Sequence, residues 1–196
     1  EEVLSKDINS EIVESISSSG GKAVGLSGNI NNLITATKLH VETKDSDSNI
    51  EKVVDIGFVG QPVKLDKSII TNIINKGEIP VIAPLGIDHN NFTYNINADT
   101  VAGFIAGELK ASKLLLLTDV PGILDNNKKL ISSLSIEEAK IILNKEFISG
   151  GMKPKIETCI NAMEKGVEKS TILDGRIPHS VILELFTEHS IGTQLV

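Results

Sequence analysis

Lys113-Leu114-Leu115-Leu116-Leu117-Thr118-Asp119-Val120-Pro121-Gly122 couples a short apolar run to an abrupt Pro-Gly turn. That run is the strongest strand signal in the chain, and an aliphatic composition suits a buried parallel sheet flanked by helices. Just upstream, Val101, Ile105 and Leu109 repeat at i, i+4 and i+8 and predict a helix from about Asn97 to Lys110. Before it, Ile79-Pro80-Val81-Ile82-Ala83-Pro84-Leu85 reads as another strand, its prolines near the ends or at an irregular edge. Strand, helix and strand in that order predict a crossover unit, which is right-handed in nearly all cases. The fold class is therefore α/β: a three-layer α/β/α sandwich with a mainly parallel central sheet and one antiparallel hairpin.

Similar patterns extend in both directions. Ile12, Val13 and Ile16 share one side of a helix from Ser10 to Ser17, and Ala23 to Leu26 and Leu33 to Leu39 read as strands. The polar stretch Glu42 to Ser48 predicts a hairpin tip or surface loop. A strand from Asp55 to Val63 leads into a helix from Asp66 to Lys76, with Asp66 as N-cap and Gly77 as its stop. A polar turn follows at Asp88-His89-Asn90-Asn91. Beyond the leucine strand come helices from Ser135 to Leu143 and Pro154 to Lys165, a strand from Ser170 to Leu173, a short helix from Pro178 to Phe186 and a last strand from Thr193 to Val196.

The chain has 196 residues, enough to bury a substantial core, and with 40% hydrophobic but only 3% aromatic residues that core is aliphatic. A formal net charge of −7 argues against a nonspecific grip on nucleic acid, which depends on Lys and Arg neutralising phosphates. No apolar run approaches the roughly 20 residues a spanning helix needs, so no contact with a membrane is expected. Cys159, the only cysteine, falls on the apolar stripe of a predicted helix and reads as core. His40, His89 and His189 lack metal-ligand spacing and read as surface residues, so no protein-built metal site is expected.

Four segments offer polar groups that could carry chemistry. In Tyr94-Asn95-Ile96-Asn97-Ala98-Asp99-Thr100, Asp99 lies in the first turn of a helix and Asn97 can cap it. The plain reading is helix-start chemistry; the other is ligand recognition by two amides and a carboxylate at one loop end. Gly150-Gly151-Met152-Lys153-Pro154-Lys155 precedes the stripe Ile156, Cys159, Ile160, Met163 and Val167, with Pro154 suited to the first helical position. Two lysines at the positive end of a helix cost a few tenths of a kcal/mol each, unless an anion sits with them. That makes the segment either a solvated lysine pair or a phosphate-binding corner.

Thr118-Asp119-Val120-Pro121-Gly122-Ile123 leaves the C-terminal end of a strand, where open α/β sheets place ligand crevices, though an ordinary strand-to-turn junction would look alike. Finally, Asp174-Gly175-Arg176-Ile177-Pro178-His179 carries the only arginine among 19 basic residues and reads as a surface turn or, with Glu184 and Gly192, as the lining of a second polar pocket.

Taken in order with Gly20-Gly21-Lys22-Ala23-Val24-Gly25-Leu26-Ser27-Gly28 and Asp55-Ile56-Gly57-Phe58-Val59-Gly60, these segments resemble the acetylglutamate kinases of the amino acid kinase family over essentially the whole chain. The resemblance implies the amino acid kinase fold and ATP-dependent phosphorylation of N-acetyl-L-glutamate, the second step of arginine biosynthesis. It implies that Asn95 and Asn97 hold the acetylglutamate, that Asp99 organises the catalytic lysines, and that Lys155 neutralises charge on the phosphoryl in transit. Thr118, Asp119, Val120, Gly122, Ile123, Gly150, Gly151, Met152 and Lys153 would embrace ATP, with Mg²⁺ bridging its phosphates. A carboxylate is already a nucleophile at neutral pH, so alignment and charge stabilisation suffice.

The C-terminal motif is similar to that of arginine-inhibited members, in which residues matching His179, Glu184 and Gly192 help to form the arginine site. Photosynthetic relatives also bind the signal protein PII, and family members assemble as dimers or hexamers. The compartment implied is cytoplasm or plastid stroma. By the same resemblance residues 1–63 would end a substrate-binding lobe and residues 64–196 form a nucleotide-binding lobe.

Departures from the family pattern are Asn29-Ile30-Asn31 where Lys-Asp-Gly is usual, Lys153 where an apolar residue is commoner, and Ser190 where Gly is frequent. The family's opening lysine-bearing loop does not precede Glu1, so the chain reads as N-terminally truncated and the isolated fragment is expected to be inactive. The alternatives are another amino acid kinase, or a module that senses arginine or binds a partner without catalysis.

Overall fold

The computed structural model describes residues 2–44, 51–148, 150–187 and 190–196. Most of the expected acidic loop, from Asp45 to Ser48, and His189 lie outside the described residues. The chain divides into two compact units, Glu1–Val101 and Ala102–Val196. Both are α/β, as expected.

In the first unit a π-helical turn (Val3–Ile8) runs into α1 (Asn9–Ser18), and β1 (Ala23–Ser27) follows. Asn9 is buried because it ties this helix to the sheet: its Nδ2 donates to Val81 O at 2.9 Å and Leu26 O at 3.2 Å. The remaining elements are β2 (Ile34–Lys38), β3 (Val41–Lys44), β4 (Glu51–Val54), β5 (Gly60–Leu65), α2 (Lys67–Ile74), β6 (Ile79–Ala83), β7 (Leu85–Ile87) and β8 (Thr93–Asn95). β1 and β6 pair in parallel, β3 and β4 form an antiparallel hairpin, and four strands run in the order β5-β2-β7-β8.

α2 begins where expected, with the Asp66 carboxylate accepting from Ser68 N–H at 3.0 Å, and Gly77, at φ +73°, closes the turn that follows its last residue, Ile74. The strand expected from Asp55 to Val63 is displaced. Asp55 bends the chain by accepting from Gly57 N–H at 2.9 Å, Gly57 takes φ +81°, and the strand starts only at Gly60. Pro80 lies one residue inside β6, and Pro84 falls between β6 and β7, where no ladder donor is asked of it.

α3 (Ala98–Leu109) leads into the second unit, with β9 (Lys113–Thr118), β10 (Ser133–Leu134), α4 (Ile136–Ile142), α5 (Met152–Glu164), β11 (Lys169–Asp174), α6 (Ser180–Phe186) and β12 (Thr193–Leu195). The sheet order is β10-β12-β11-β9, with β9 parallel to β11 and β12 antiparallel to β11. Thus β9 crosses to β11 and β1 to β6, rather than β6 to β9 as the sequence suggests, and among the described residues four antiparallel ladders stand where a single hairpin was expected. Leu114 and Leu116 are buried, but Leu117 is 49% exposed. The leucine strand ends its sheet, next to β11, and the face carrying Leu115 and Leu117 is less covered than the one carrying Leu114 and Leu116.

The core of this unit joins Leu114, Leu116, Ile123, Ile156, Cys159, Ile160, Ile172 and Leu195, so Cys159 is the core residue its stripe predicts. Helices approach closely at Gly103, where a Cβ would stand 2.4 Å from Thr158 Cγ2. α4 opens with a capping box between Ser135 and Glu138. Among the described residues no helix is long and apolar enough to cross a membrane.

Candidate active site

β9 and β11 run side by side to their C-terminal ends, with Thr118 opposite Asp174. The chain leaves β9 through Asp119, Val120 and Pro121, and Gly122 turns it back at φ +142°. On the other side α5 starts at Met152, after the N-cap Gly151, which has no side chain to bond to the first turn. The first N–H groups of a helix lack intrahelical acceptors and carry its positive pole. Lys155 is half-buried in that same turn region.

Between these elements, wholly within the second unit, lies a cavity of about 400 Å³ lined by Thr118, Asp119, Val120, Gly122, Leu124, Phe147, Ile148, Gly151, Met152 and Lys155. Seven of the residues picked from sequence therefore converge: Thr118, Asp119, Val120, Gly122, Gly151, Met152 and Lys155. Its size and its apolar wall with a few polar heads are those of a small-ligand site.

Gly150 and Lys153 are exposed beside it and do not line it. Ile123 does not line it either. Its side chain is 0% exposed and belongs to the core cluster with Leu114, Leu116, Ile156 and Ile172. Phe147 and Ile148 were not anticipated; the signal was an aromatic-aliphatic pair just before Gly150 in a chain poor in aromatics. Pro154 occupies the third helical position rather than the first, since α5 begins at Met152. It is tolerated because no N–H of the first turn is required by the helix ladder.

At the rim, Arg176 grips Asp174: Nε donates to Oδ1 at 2.9 Å, Nη2 to Oδ2 at 2.8 Å, and the Arg176 backbone N–H to Oδ1 at 2.9 Å. These bonds, the side-chain ones foremost, hold the Asp174 carboxyl down to about 2. Gly175 N–H donates to Thr118 O at 2.8 Å and closes the ends of the two strands together.

The other expected site residues of the first unit sit on one short stretch. Asn95 ends β8, exposed, with its N–H donating to Phe58 O at 2.8 Å. Asn97 caps α3 through Oδ1, which accepts from Thr100 N–H at 3.2 Å, and Asp99 lies in the first turn.

Near the C-terminus, His179 is exposed at φ +61° before α6. Glu184 is buried, and both its oxygens are occupied: Oε1 accepts from Thr171 Oγ1 at 2.9 Å and Gln194 Nε2 at 3.4 Å, Oε2 from Ser190 Oγ at 2.9 Å and Ile191 N–H at 3.2 Å. Gly192 has no space for a side chain, since a Cβ would meet Ile172 O at 2.2 Å. His40 and His89 are exposed. Among the described residues no group of three or more His, Cys, Asp or Glu side chains is placed to hold a metal ion.

The family model described as "Amino acid kinase family" matches residues 2–174. The acetylglutamate kinase of Afipia carboxidovorans is 54% identical over 193 residues, covering 98% of this chain and 65% of that protein. That of Mesorhizobium japonicum is 53% identical over 196 residues, covering 100% and 66%. This chain thus spans just under two thirds of the length of these curated relatives. Among solved structures, N-acetylglutamate synthase from Neisseria gonorrhoeae, complexed with coenzyme A and N-acetyl-glutamate, superposes with a TM-score of 0.81 at 27% identity, covering 97% of this chain and 41% of that one.

Proposed function

The chain belongs to the amino acid kinase family, and on that premise we propose that it serves the ATP-dependent phosphorylation of N-acetyl-L-glutamate to N-acetyl-L-glutamyl 5-phosphate. The observation that carries this reading is the cavity at the end of β9, which collects six of the nine nucleotide residues picked from sequence (Thr118, Asp119, Val120, Gly122, Gly151 and Met152) around the half-buried Lys155. Identity of 54% to a curated acetylglutamate kinase supports the choice of acceptor.

A side-chain carboxylate oxygen of the substrate attacks the γ-phosphorus, the bond from that phosphorus to the β,γ-bridging oxygen breaks, and ADP leaves with the electron pair. No proton needs to be removed from the nucleophile. The protein's task is therefore alignment and charge stabilisation. Val120, Leu124, Phe147, Ile148 and Met152 give an apolar wall for the base, while the α5 N-terminus and Lys155 face the anionic end. Asn95 and Asn97 offer amides to the acetylglutamate, and Asp99 organises the catalytic cations. With no carboxylate cluster to cage an ion among the described residues, a Mg²⁺ ion would be held by the nucleotide's own phosphates and waters, offsetting their charge.

The test is calorimetric titration of this chain with MgATP, joined to hydroxylamine trapping of the acyl phosphate formed by the natural protein. Saturable ATP binding with acetylglutamate-dependent hydroxamate supports the reading, and hydroxamate formed instead with another acid reassigns the acceptor. Arginine sensitivity is a narrower proposal. Because Glu184 already accepts four hydrogen bonds from the protein, arginine would have to use His179 or displace one of those donors. Inhibition unaffected by His179→Ala and Glu184→Gln would remove both residues from such a site.

A further inference from the structure

Thr193 opens β12 and is completely buried, although its side chain is polar. Both hydrogen-bonding roles of its hydroxyl are used: Oγ1 accepts from Ile123 N–H at 2.8 Å and donates to Ile131 O at 2.6 Å. Ile131 N–H in turn donates to Ile123 O at 2.9 Å. One side chain therefore pins both limbs of the excursion between β9 and β10.

The peptide held in this way is Gly122–Ile123. A trans peptide is planar, with its N–H and C=O pointing in opposite directions. Fixing the Ile123 N–H on Thr193 thus also fixes the Gly122 carbonyl. Gly122 lines the cavity and Thr193 does not. A Cβ on Gly122 would come within 2.7 Å of Thr193 Oγ1 and 3.1 Å of Thr193 N, so the loop backbone lies directly against Thr193.

Thr193 is itself fixed from behind. Its register partner is Ile172 on β11, Gly192 leaves room for Ile172 O, and Ile191 is tethered to Glu184.

We propose that Thr193 is a positioning residue for the nucleotide loop: its buried hydroxyl holds the Gly122–Ile123 peptide in place and so sets nucleotide affinity from outside the cavity. This rests on the kinase reading given above. An apolar side chain of the same shape would strand a buried donor on Ile123 and deprive Ile131 O of its hydroxyl partner, and the loop would relax to resolve the loss.

Thr193→Val and Thr193→Ser in the full chain test the claim by MgATP calorimetry, amide exchange at Ile123 and thermal melting. Thr193→Val is expected to weaken ATP binding about tenfold and to speed Ile123 exchange about tenfold or more, with a cooperative melt retained. Thr193→Ser is expected to return both readouts to within about twofold of the unaltered chain. A lower melting temperature in Thr193→Val with ATP affinity unmoved makes the residue merely structural and overturns the proposal; so does unchanged Ile123 exchange.

If the unaltered chain takes up no ATP, the kinase reading fails, while Ile123 exchange still decides whether Thr193 holds the loop. Should Thr193→Val not fold, Thr193→Cys, whose thiol bonds weakly, is expected to fall between the two, and unaltered affinity and exchange there overturn the proposal.

Discussion

Arg176 holds Asp174 through three donors at once, two from its guanidinium and one from its own backbone, and the carboxylate it holds is only 7% exposed. Asp174 is therefore far easier to keep ionised in the folded chain than in the unfolded one, where an aspartate titrates near 3.9. The folded value, about 2, is the lower of the two, so the stabilisation is complete above about pH 4 and disappears as pH falls towards 2. Arg176→Ala removes the guanidinium partner. Its stability deficit in urea is expected to be largest near neutral pH and to shrink between about pH 4 and pH 2. A deficit that is constant across that range would show that the pair is not linked to protonation.

Lys155 is the cavity's cation at the start of α5. In the natural protein Lys155→Ala is expected to lower kcat by about 10²–10³, the usual loss when a transition-state donor is removed. Steady-state kinetics would check it. A change below about threefold would separate Lys155 from the chemistry, since a transition-state donor is worth far more.

Asn9 bridges two strand carbonyls from a helix that otherwise packs little buried surface, being the only buried residue of α1. Asn9→Ala is expected to cost about 1–3 kcal/mol, because two part-buried hydrogen bonds, worth about 0.5–1.5 kcal/mol each, are lost. Chemical denaturation followed by circular dichroism measures it, and a neutral result would mean that water replaces the amide.

Glu184 supplies four acceptor contacts to Thr171, Gln194, Ser190 and Ile191. Glu184→Gln turns one oxygen into a donor that must face other donors, and is expected to destabilise the chain by about 1–3 kcal/mol. The Ile191 amide should also exchange faster. Exchange there equal to that of the unaltered chain would place the tether elsewhere.

How much of this was legible depended on the range over which each signal acts. Asp66, Gly77 and Asn97 were readable because a cap or stop is decided by residues within one turn of it. The leucine strand was bounded correctly, because a short apolar run between a lysine and a turn is a local signal, whereas its place at the end of the sheet depends on distant strands. β10 was invisible, two residues being too few to carry a period. Phe147 and Ile148 entered the cavity unannounced, since a side chain becomes a wall only when another segment faces it. Ile123, grouped with the nucleotide residues by its neighbours, sits in the core, a place that only the packing of distant segments decides.

Local pattern alone settled that this chain is α/β, where its helices lie to within a residue or two, and which short segments carry amides, glycines and lysines of the kind that grip anions, because those properties are written in spacings of one to four residues. Folding decided the rest: which strands pair, that Thr118 and Asp174 end side by side, that Glu184 faces inward, and that Thr193 reaches seventy residues back in sequence to Ile123. Contacts over such separations are selected by the packing of the whole unit, and no local spacing records them.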